Sequence, residues 1–465
     1  MELPKGWIWA TLGGVASWGS GGTPKSGVTQ YYGGDIPWVV SGDLNDERIQ
    51  SATSTITTEG LNSSSAKWVP EGSVLIAMYG ATIGKLAITG KPLTTNQAVA
   101  FATPHLGLID KRFLFWYLRS QRDALRKAGK GGAQPNISQT ILKAWRIPVP
   151  PVAEQHRIVE ALEDHTSRLD VAGRELDTAR KKIASFRKSI LLSLVPESVP
   201  DSWEMSTVGE AGTVGLGRQR HPDWHHGPEM RPYLRVANVF EDRIDTSDVM
   251  EMDFSGVFDR FRLEPGDVLL NEGQSPHLVG RPALYRGTPP NVAFTNSLLR
   301  FQARPDVLPE WALMVFRRHL HARRFMREVR ITTNIAHLSA KRLKPVEFPI
   351  PPLEEQKRRV QACDELMSYA DAMEHALKRN LVRAKHLRSA VLERAFSGRL
   401  VPQDLADESA SALLDRIRAE HEARGDKPKR AGRRPRKAAT ADAPPPSRAS
   451  SPPSHTTAVQ QEFPL

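Results

Sequence analysis

Residues 19–26 read Gly-Ser-Gly-Gly-Thr-Pro-Lys-Ser, which has the outline of a phosphate-binding loop. Such a loop needs glycine where Pro24 stands, because backbone N–H groups must curl around a phosphate. Proline has no N–H and a fixed φ. The approach, TLGGVASWGS, could be a strand, but the sequel VTQYYGGDIPWVV is not a helix. The segment therefore reads as a loop and not as a nucleotide site. A second candidate is His221, Asp223, His225 and His226 in RQRHPDWHHGPEM, the one metal-like cluster. Adjacent imidazoles in an undefined loop make a poor site without further ligands, so no metal is expected. Pro305-Asp306 with Glu355-Gln-Lys357 spells a nuclease-like carboxylate set. Carboxylates of that kind must converge on one metal. Glu355, however, belongs to a motif that recurs as Glu154-Gln-His156, which speaks for a scaffold. No catalytic residue is assigned.

The chain that must position these groups is a duplicated unit. IPVPPVAEQHRIV (147–159) returns as FPIPPLEEQKRRV (348–360), and LPKGWIWATLGGVA (3–16) as VPDSWEMSTVGEAG (199–212). Further pairs are IPWVVSGDLNDERI with RPYLRVANVFEDRI, VPEGSVLI with LEPGDVLL, TNQAVAF with TNSLLRF, and PNIS with TNIA. A repeat of this length reads as two copies of a domain plus a helix, with pseudo-two-fold symmetry. Inside the copies the loops diverge, and GGTPKSGVTQYYGGD has no clear partner in LGRQRHPDWHHGPEM.

After each Pro-rich hinge the apolar-leaning positions step by four and three, with the polar His165 and Asn380 on the same stripe. The first series is Ile158, Leu162, His165, Leu169, Ala172, Leu176, Ala179, Ile183, Phe186 and Ile190. At constant offset the second is Cys363, Leu366, Ala370, Met373, Leu377, Asn380, Ala384, Leu387 and Val391. This is a heptad seam. The duplication predicts that the two helices pair antiparallel, with a globular domain at each end. About 40 residues at a rise of about 1.5 Å make a spacer of roughly 60 Å. Each globular half mixes short β-type runs with one clear helix, 111–129 and 309–329, which reads as α+β with a mixed sheet. The expected divisions are 1–150 and 199–351 for the globular domains, 151–198 and 352–400 for the helices, and a basic Pro/Ala-rich tail at 401–465. That tail holds seven basic residues between 427 and 437 and is expected to be disordered. Arginines and histidines crowd 317–330, and they read either as a solvated face or as a phosphate-tracking surface.

A formal charge of +12 points towards nucleic acid. One cysteine, Cys363, leaves no internal disulfide and no Cys-based zinc site. The absence of a long apolar run and of a signal-like N-terminus leads to the expectation of a cytoplasmic protein without membrane contact.

Together these motifs resemble the specificity subunit of type I restriction–modification systems. The residues that carry the resemblance are GGTPK with YYGGDIPWVVSGDL, GATIGKLAI, TTNQA, PNIS, the PPxxEQ hinges and the close LRSAVLERAFSGRLVPQD, over residues 1 to about 402. The resemblance implies a non-catalytic reader of double-stranded DNA. Two target recognition domains would each read half of a split site, and an antiparallel two-helix coiled coil would fix the gap. The helices would dock two methyltransferase subunits, with restriction/translocase subunits completing the complex. S-adenosylmethionine, ATP and magnesium are expected on those partners and none on this chain. The motifs of an adenine methyltransferase, Asn-Pro-Pro-Phe-like or Asp-Pro-Pro-Tyr-like, do not occur. The alternative is a stand-alone bipartite DNA-binding protein without enzyme partners.

For DNA contacts, polar and basic residues in Gly-rich or turn segments are the candidates. In the first domain they are Lys25, Ser41, Tyr79, Thr82, Lys85, Gln134 and Asn136. In the second they are Arg218, Gln219, Arg220, Asn238, Gln274, Arg281, Thr333 and Asn334. The seam candidates are Leu162, Leu169, Leu176, Ile183, Phe186 and Ile190 against Leu366, Ala370, Leu377, Ala384, Leu387 and Val391.

Overall fold

The computed structural model describes residues 2–129, 136–332 and 335–423. Met1–Ala410 form one compact unit. Of the second unit, Ser411–Leu465, the described part is the helix that starts at Ala410 and ends at Ala423.

The duplication in the sequence is a duplication in topology. In the first half β1 (Ile8–Thr11) pairs antiparallel with β9 (Arg146–Val149), so the start of the half is clasped to its end. Strands β2 (Ala16–Ser20), β8 (Val99–Pro104), β5 (Val74–Ala77) and β6 (Leu86–Thr89) follow one another in an antiparallel sheet. A second sheet places β3 (Tyr32–Val39) between β4 (Ser54–Ile56), antiparallel, and β7 (Leu93–Thr95), parallel. The second half contains an equivalent of each of these nine strands. The clasp is β10 (Glu204–Thr207) with β18 (Glu347–Ile350). The first sheet is β11 (Gly212–Leu216), β17 (Leu298–Ala303), β14 (Val268–Asn271) and β15 (Pro282–Leu284). The second places β12 (Met230–Leu234) between β13 (Met250–Asp253), antiparallel, and β16 (Ala293–Phe294), parallel. Helices α1 (Lys111–Ser120) and α3 (Pro309–His321) bury their apolar sides, including Phe113, Trp116, Trp311 and Phe316.

The Gln of each PPxxEQ hinge is a buried clamp. Gln155 is fully buried, donates to the carbonyls of Leu108 (3.0 Å) and Pro150 (3.0 Å), and accepts from the Asp110 amide (2.8 Å). Gln356 does the same with Asp306 O (2.9 Å), Pro351 O (2.8 Å) and the Leu308 amide (2.8 Å). One side chain thus ties the entry of the α1-type helix to the entry of the long helix, satisfying groups that burial would otherwise strand. Glu154 is buried beside Gln155 and accepts from the Trp7 indole at 2.9 Å. Burial raises its pKa, and that hydrogen bond opposes the rise.

From these hinges run α2 (Val152–Leu194, 43 residues) and α4 (Leu353–Phe396, 44 residues), each about 65 Å long. They pack on each other antiparallel: Arg187 reaches Asp371 (2.5 Å) and Glu374 (2.9 Å), whereas Asp170, earlier in α2, meets Arg388, later in α4. Each helix starts in its own half and ends on the other. Ile190 and Leu191 join the core of the second half. Phe396 stacks edge-on against Phe113 (5.4 Å) and Tyr117 (5.2 Å) of the first.

The seam differs from its expectation in α4. Leu162 and Ile190 are buried, and Leu169, Leu176, Ile183 and Phe186 are half-buried. His165 is exposed, and Thr166 takes its place. In α4, Cys363, Ala370, Leu377, Ala384 and Val391 are covered, but Leu366, Met373, Asn380 and Leu387 are exposed. Met367, Glu374, Leu381 and Arg388 replace them, one residue later. Steps of four and three define a stripe but not which of its flanks meets the partner, and Thr166 in α2 and its equivalent Met367 in α4 show the same shift by one residue. Cys363 is buried, and burial pushes its thiol up to about 11.

The expected tail begins later than residue 401. Arg157 pairs with Asp407 at 2.6 Å, and the Ala410 amide donates to Gly6 O at 3.1 Å. Residues 401–410 therefore belong to the folded body.

Candidate nucleic-acid interface

In each half the loops converge on one turn. In the first half it is Asn96–Gln97, after β7. The Gly22 amide donates to Thr95 O (3.0 Å), and the Thr23 hydroxyl reaches the Gln97 side chain. The Asn96 amide donates to Val39 O (2.9 Å), just before the turn that carries Ser41. The Met78 amide donates to Ala98 O (2.8 Å), which sets the β5–β6 hairpin with Tyr79, Thr82 and Lys85 beside the turn. Finally, the Ile137 amide donates to Met78 O (2.8 Å), adding Asn136.

The second half builds the same rim around Asn296–Ser297. The Asn296 amide donates to Arg218 O (3.0 Å), the Val236 amide to the Ser297 hydroxyl (3.1 Å) and the Glu272 amide to Ser297 O (3.0 Å). The Leu338 amide then donates to Glu272 O (2.7 Å), and Gln274 pairs in register with Ala336.

The two loops, which show no clear correspondence in sequence, occupy equivalent places. A Cβ on Gly21 would lie 1.8 Å from Thr95 O, and one on Gly217 would lie 2.4 Å from Thr295 O. Both loops are pressed onto the same threonine backbone, where a side chain has no room. Beyond the glycine the first exposes Thr23, Lys25 and Ser26, and the second exposes Gln219, Arg220 and His221. The Trp38 indole holds Gly22 O (3.0 Å) and the Tyr32 hydroxyl holds Pro24 O (2.6 Å), so the loop at Lys25 is a fixed platform.

Not every candidate is available at these rims. Ser41, Tyr79, Thr82, Lys85 and Gln274 are half-buried, and Asn136 is exposed. Asn238 is buried, and its amide donates to Asp245 O (3.0 Å) and Asp248 O (2.9 Å) while accepting from the Arg235 amide (3.0 Å). It is a turn clamp and has nothing left for a base. Arg218 lies over Trp224 (4.0 Å) and Phe254 (5.2 Å) and donates to Asp253 O. Arg281 lies over Phe240 (4.7 Å) and donates to Val239 O (2.6 Å), and burial lowers its pKa. Both arginines brace the loops instead of projecting from them. Gln134, Thr333 and Asn334 lie outside the described residues. Asn96, Gln97, Asn296 and Ser297, at the hubs of the two rims, are not among the sequence candidates, although their motif is one of the repeated ones.

The arginine-rich stretch around α3 resolves to structure. Arg317 binds Glu241 (3.0 Å) and Asp242 (3.5 Å), Arg324 binds Glu347 (2.7 Å) and Glu328 (2.7 Å), and Arg318 is buried. Burial would raise the Glu241 pKa, but His321 and Arg317 outweigh it and bring the carboxyl below its usual range. His319 is buried. Its Nε2–H donates to Glu347 O (2.9 Å), its Nδ1 faces Arg318 (3.4 Å), and burial depresses its pKa to about 4. Glu241, Asp242 and Glu347 lie outside the stretch, and Glu328 alone lies within it, which is why a local reading sees mostly positive charge.

Among the described residues no cluster of His, Cys, Asp and Glu could hold a metal. His221 pairs with Asp223 on the surface (3.2 Å). Asp306 is held by Arg304 (2.7 Å) and Glu355 by Arg359 (2.5 Å). No described helix is long and apolar enough to cross a membrane.

Residues 4–178 match the type I restriction modification DNA specificity domain. The chain is 25% identical over 453 residues to the specificity subunit of the type I restriction enzyme EcoKI from Escherichia coli K12, covering 92% of this chain and 98% of that one. The similarity to that specificity subunit thus runs over nearly the whole of both chains. The EcoR124I/EcoR124II specificity subunit of Escherichia coli is 31% identical over 201 residues, 41% of this chain and 50% of that one. Two solved chains share the fold. One comes from work on complex assembly and conformational transition of the type I R-M system, with TM-score 0.69, 21% identity and coverage of 86% and 100%. The other is the HsdS subunit from Thermoanaerobacter tengcongensis, with TM-score 0.54, 20% identity and coverage of 86% and 99%.

Proposed function

We propose that this chain is the DNA-specificity subunit of a type I restriction–modification complex and reads a split double-stranded target. One half-site falls to the rim of residues 1–150 and the other to the rim of residues 199–351. The observation that carries this reading is the pair of topologically identical rims with different exposed side chains, joined by two antiparallel helices of nearly equal length. Lys25, Ser26 and Gln97 project from the first rim, and Gln219, Arg220 and His221 from the second. Arg and Gln are side chains suited to guanine and adenine edges, and Lys and Ser to phosphates. The helix pair acts as a coiled-coil ruler that sets the gap between half-sites. Exposed Leu366, Tyr369, Met373 and Leu387 on α4 offer apolar surface to the methyltransferase subunits, of which the repeat accommodates two. Restriction/translocase subunits complete the assembly. S-adenosylmethionine, ATP and magnesium serve those partners in the cytoplasm.

The test is modification mapping. The chain is co-expressed with the methyltransferase encoded beside it, and N6-methyladenine is read across the host genome by single-molecule sequencing. A split motif of fixed gap, present only with this chain, supports the reading. A complex that forms but methylates no split motif refutes it.

A further inference from the structure

The two halves differ at a pair of arginines that the repeat makes equivalent. Each hinge glutamine accepts from one amide, that of Asp110 for Gln155 and that of Leu308 for Gln356. Nine residues on from these amides stand Arg119 and Arg317. Arg317 has its counter-ions: it binds Glu241 (3.0 Å) and Asp242 (3.5 Å). The aspartate has a first-half counterpart in Asp46. Asp46 and Asp242 both take a positive φ (63° and 52°), and their amides donate to equivalent strand carbonyls, Leu86 O (2.8 Å) and Pro282 O (2.9 Å). Glu241 has no counterpart, because the turn from Asp43 to Asp46 is one residue shorter than the turn from Asn238 to Asp242. Asp46 itself is taken by Arg122, whose equivalent in the second half is Leu320. Among the described residues, no hydrogen bond or ion pair engages the half-buried Arg119 guanidinium, which lies over the Trp116 ring at 4.8 Å.

Arg119 lines a groove of about 330 Å³ with Ile88, Lys111, Phe115, Trp116 and Glu163. Glu163 is engaged by Arg112 (3.3 Å) and Arg48 by Glu71 (2.8 Å), while the exposed Glu47 and Lys111 contribute one charge of each sign. The uncompensated charge of the groove is therefore Arg119. Burial lowers its pKa, Asp46 opposes the fall, and Arg388 and Arg122 deepen it. Arg388 belongs to α4 and Glu163 to α2, so the groove lies where the helix pair meets the first half. A half-buried cation without a counter-ion is costly, and a carboxylate removes that cost. The second half shows what fits beside such an arginine, a glutamate side chain. The groove has room for one or two side chains against aromatic and aliphatic walls, whereas the phosphates of a duplex line a broad, hydrated surface. We propose that Arg119 is a latch for an acidic side chain of the methyltransferase subunit on the first half, a contact that the second half satisfies internally through Glu241. This rests on the reading above that the helix pair docks methyltransferase subunits. The two docking surfaces are then unequal, and the first has a charge-assisted contact that the second lacks.

The experiment mixes the full chain with the methyltransferase encoded beside it, without DNA, and counts bound subunits by native mass spectrometry across a concentration series. The wild-type chain is expected to carry two methyltransferase subunits. Arg119→Gln should weaken one of the two about tenfold and leave the other unchanged, and Arg119→Glu should weaken that one further. Arg119→Lys, which keeps the charge and loses the planar fork, should fall between wild type and Arg119→Gln and guards against a misfolded variant. Raising the salt should weaken that subunit more in wild type than in Arg119→Gln. The inference is overturned if Arg119→Gln and Arg119→Glu bind two subunits as tightly as wild type, if both subunits are weakened equally, or if Arg119→Lys is as weak as Arg119→Glu. It is likewise overturned if assembly is unchanged while the complex loses affinity for its mapped target, because Arg119 then faces a phosphate. Failure of the underlying reading looks different, because the wild-type chain then binds no methyltransferase at all.

Discussion

Gln155→Leu should loosen the first half far more than a single exposed change. The side chain makes three hydrogen bonds in a fully buried setting, two to carbonyls and one from the Asp110 amide. Leucine has a similar volume, so little cavity forms and the polar loss dominates. Stranding a buried donor or acceptor costs about 1–3 kcal/mol each. Carbonyls keep a second lone pair and sit at the lower end of that range. The sum is about 4 kcal/mol, close to a thousandfold in a local opening equilibrium. Native-state hydrogen exchange of the Asp110 amide, together with urea unfolding by circular dichroism, measures it. Gln356→Leu should cost the same within a factor of two, because its three partners are the structural equivalents. Unchanged Asp110 protection with an unfolding free energy altered by less than about 1 kcal/mol would refute the clamp argument.

Three further outcomes are expected. Gly21→Ala forces a Cβ to within 1.8 Å of Thr95 O and should cost about 1–3 kcal/mol with loss of first-half recognition, whereas Gly27→Ala, with open space around it, leaves methylation at the wild-type level. His319 stays neutral in the fold down to about pH 4 but takes a proton below about 6.5 when unfolded, so stability is lost as pH falls through that window. Its share is about 2 kcal/mol between pH 7 and 5, and urea titrations should show that share missing in His319→Gln. Deleting the facing heptads Leu169–Glu175 and Arg383–Ser389 removes the Asp170–Arg388 pair as a unit and shortens the ruler by about 10 Å, so the mapped motif should lose about three base pairs of gap; an unchanged gap rejects the ruler.

What could be read from the residues alone followed how local the determinant was. The repeat, the hinges and the two long helices were legible because their residues act on near neighbours or at a fixed offset. The Gln clamp was visible as a motif, though its partners at Leu108 and Asp306 were not. The seam of α4 was half legible, since periodicity gives spacing but not which flank meets an antiparallel partner. The loops were least legible. Arg218, Arg281 and Asn238 look like readers in sequence, yet their backbone and aromatic partners lie at Asp253, Val239, Phe240, Asp245 and Asp248. Arg317 and Arg324 likewise meet Glu241, Asp242 and Glu347, which lie outside their own stretch. Conversely, the equivalence of the two glycine-anchored loops rests on Thr95 and Thr295, and no alignment of the loops themselves would reveal it.

The glycines pressed on Thr95 and Thr295 separate two kinds of evolutionary risk. Stability resides in the backbone contact at the glycine and in the buried glutamines, whereas the side chains that meet the outside begin two residues further on. A substitution at Thr23, Lys25, Gln219 or Arg220 therefore draws on almost none of the folding free energy. Lineages of this fold can then drift through many alphabets of recognition while the chassis holds still, and a change in what is read need not await a compensating change in what keeps the molecule folded.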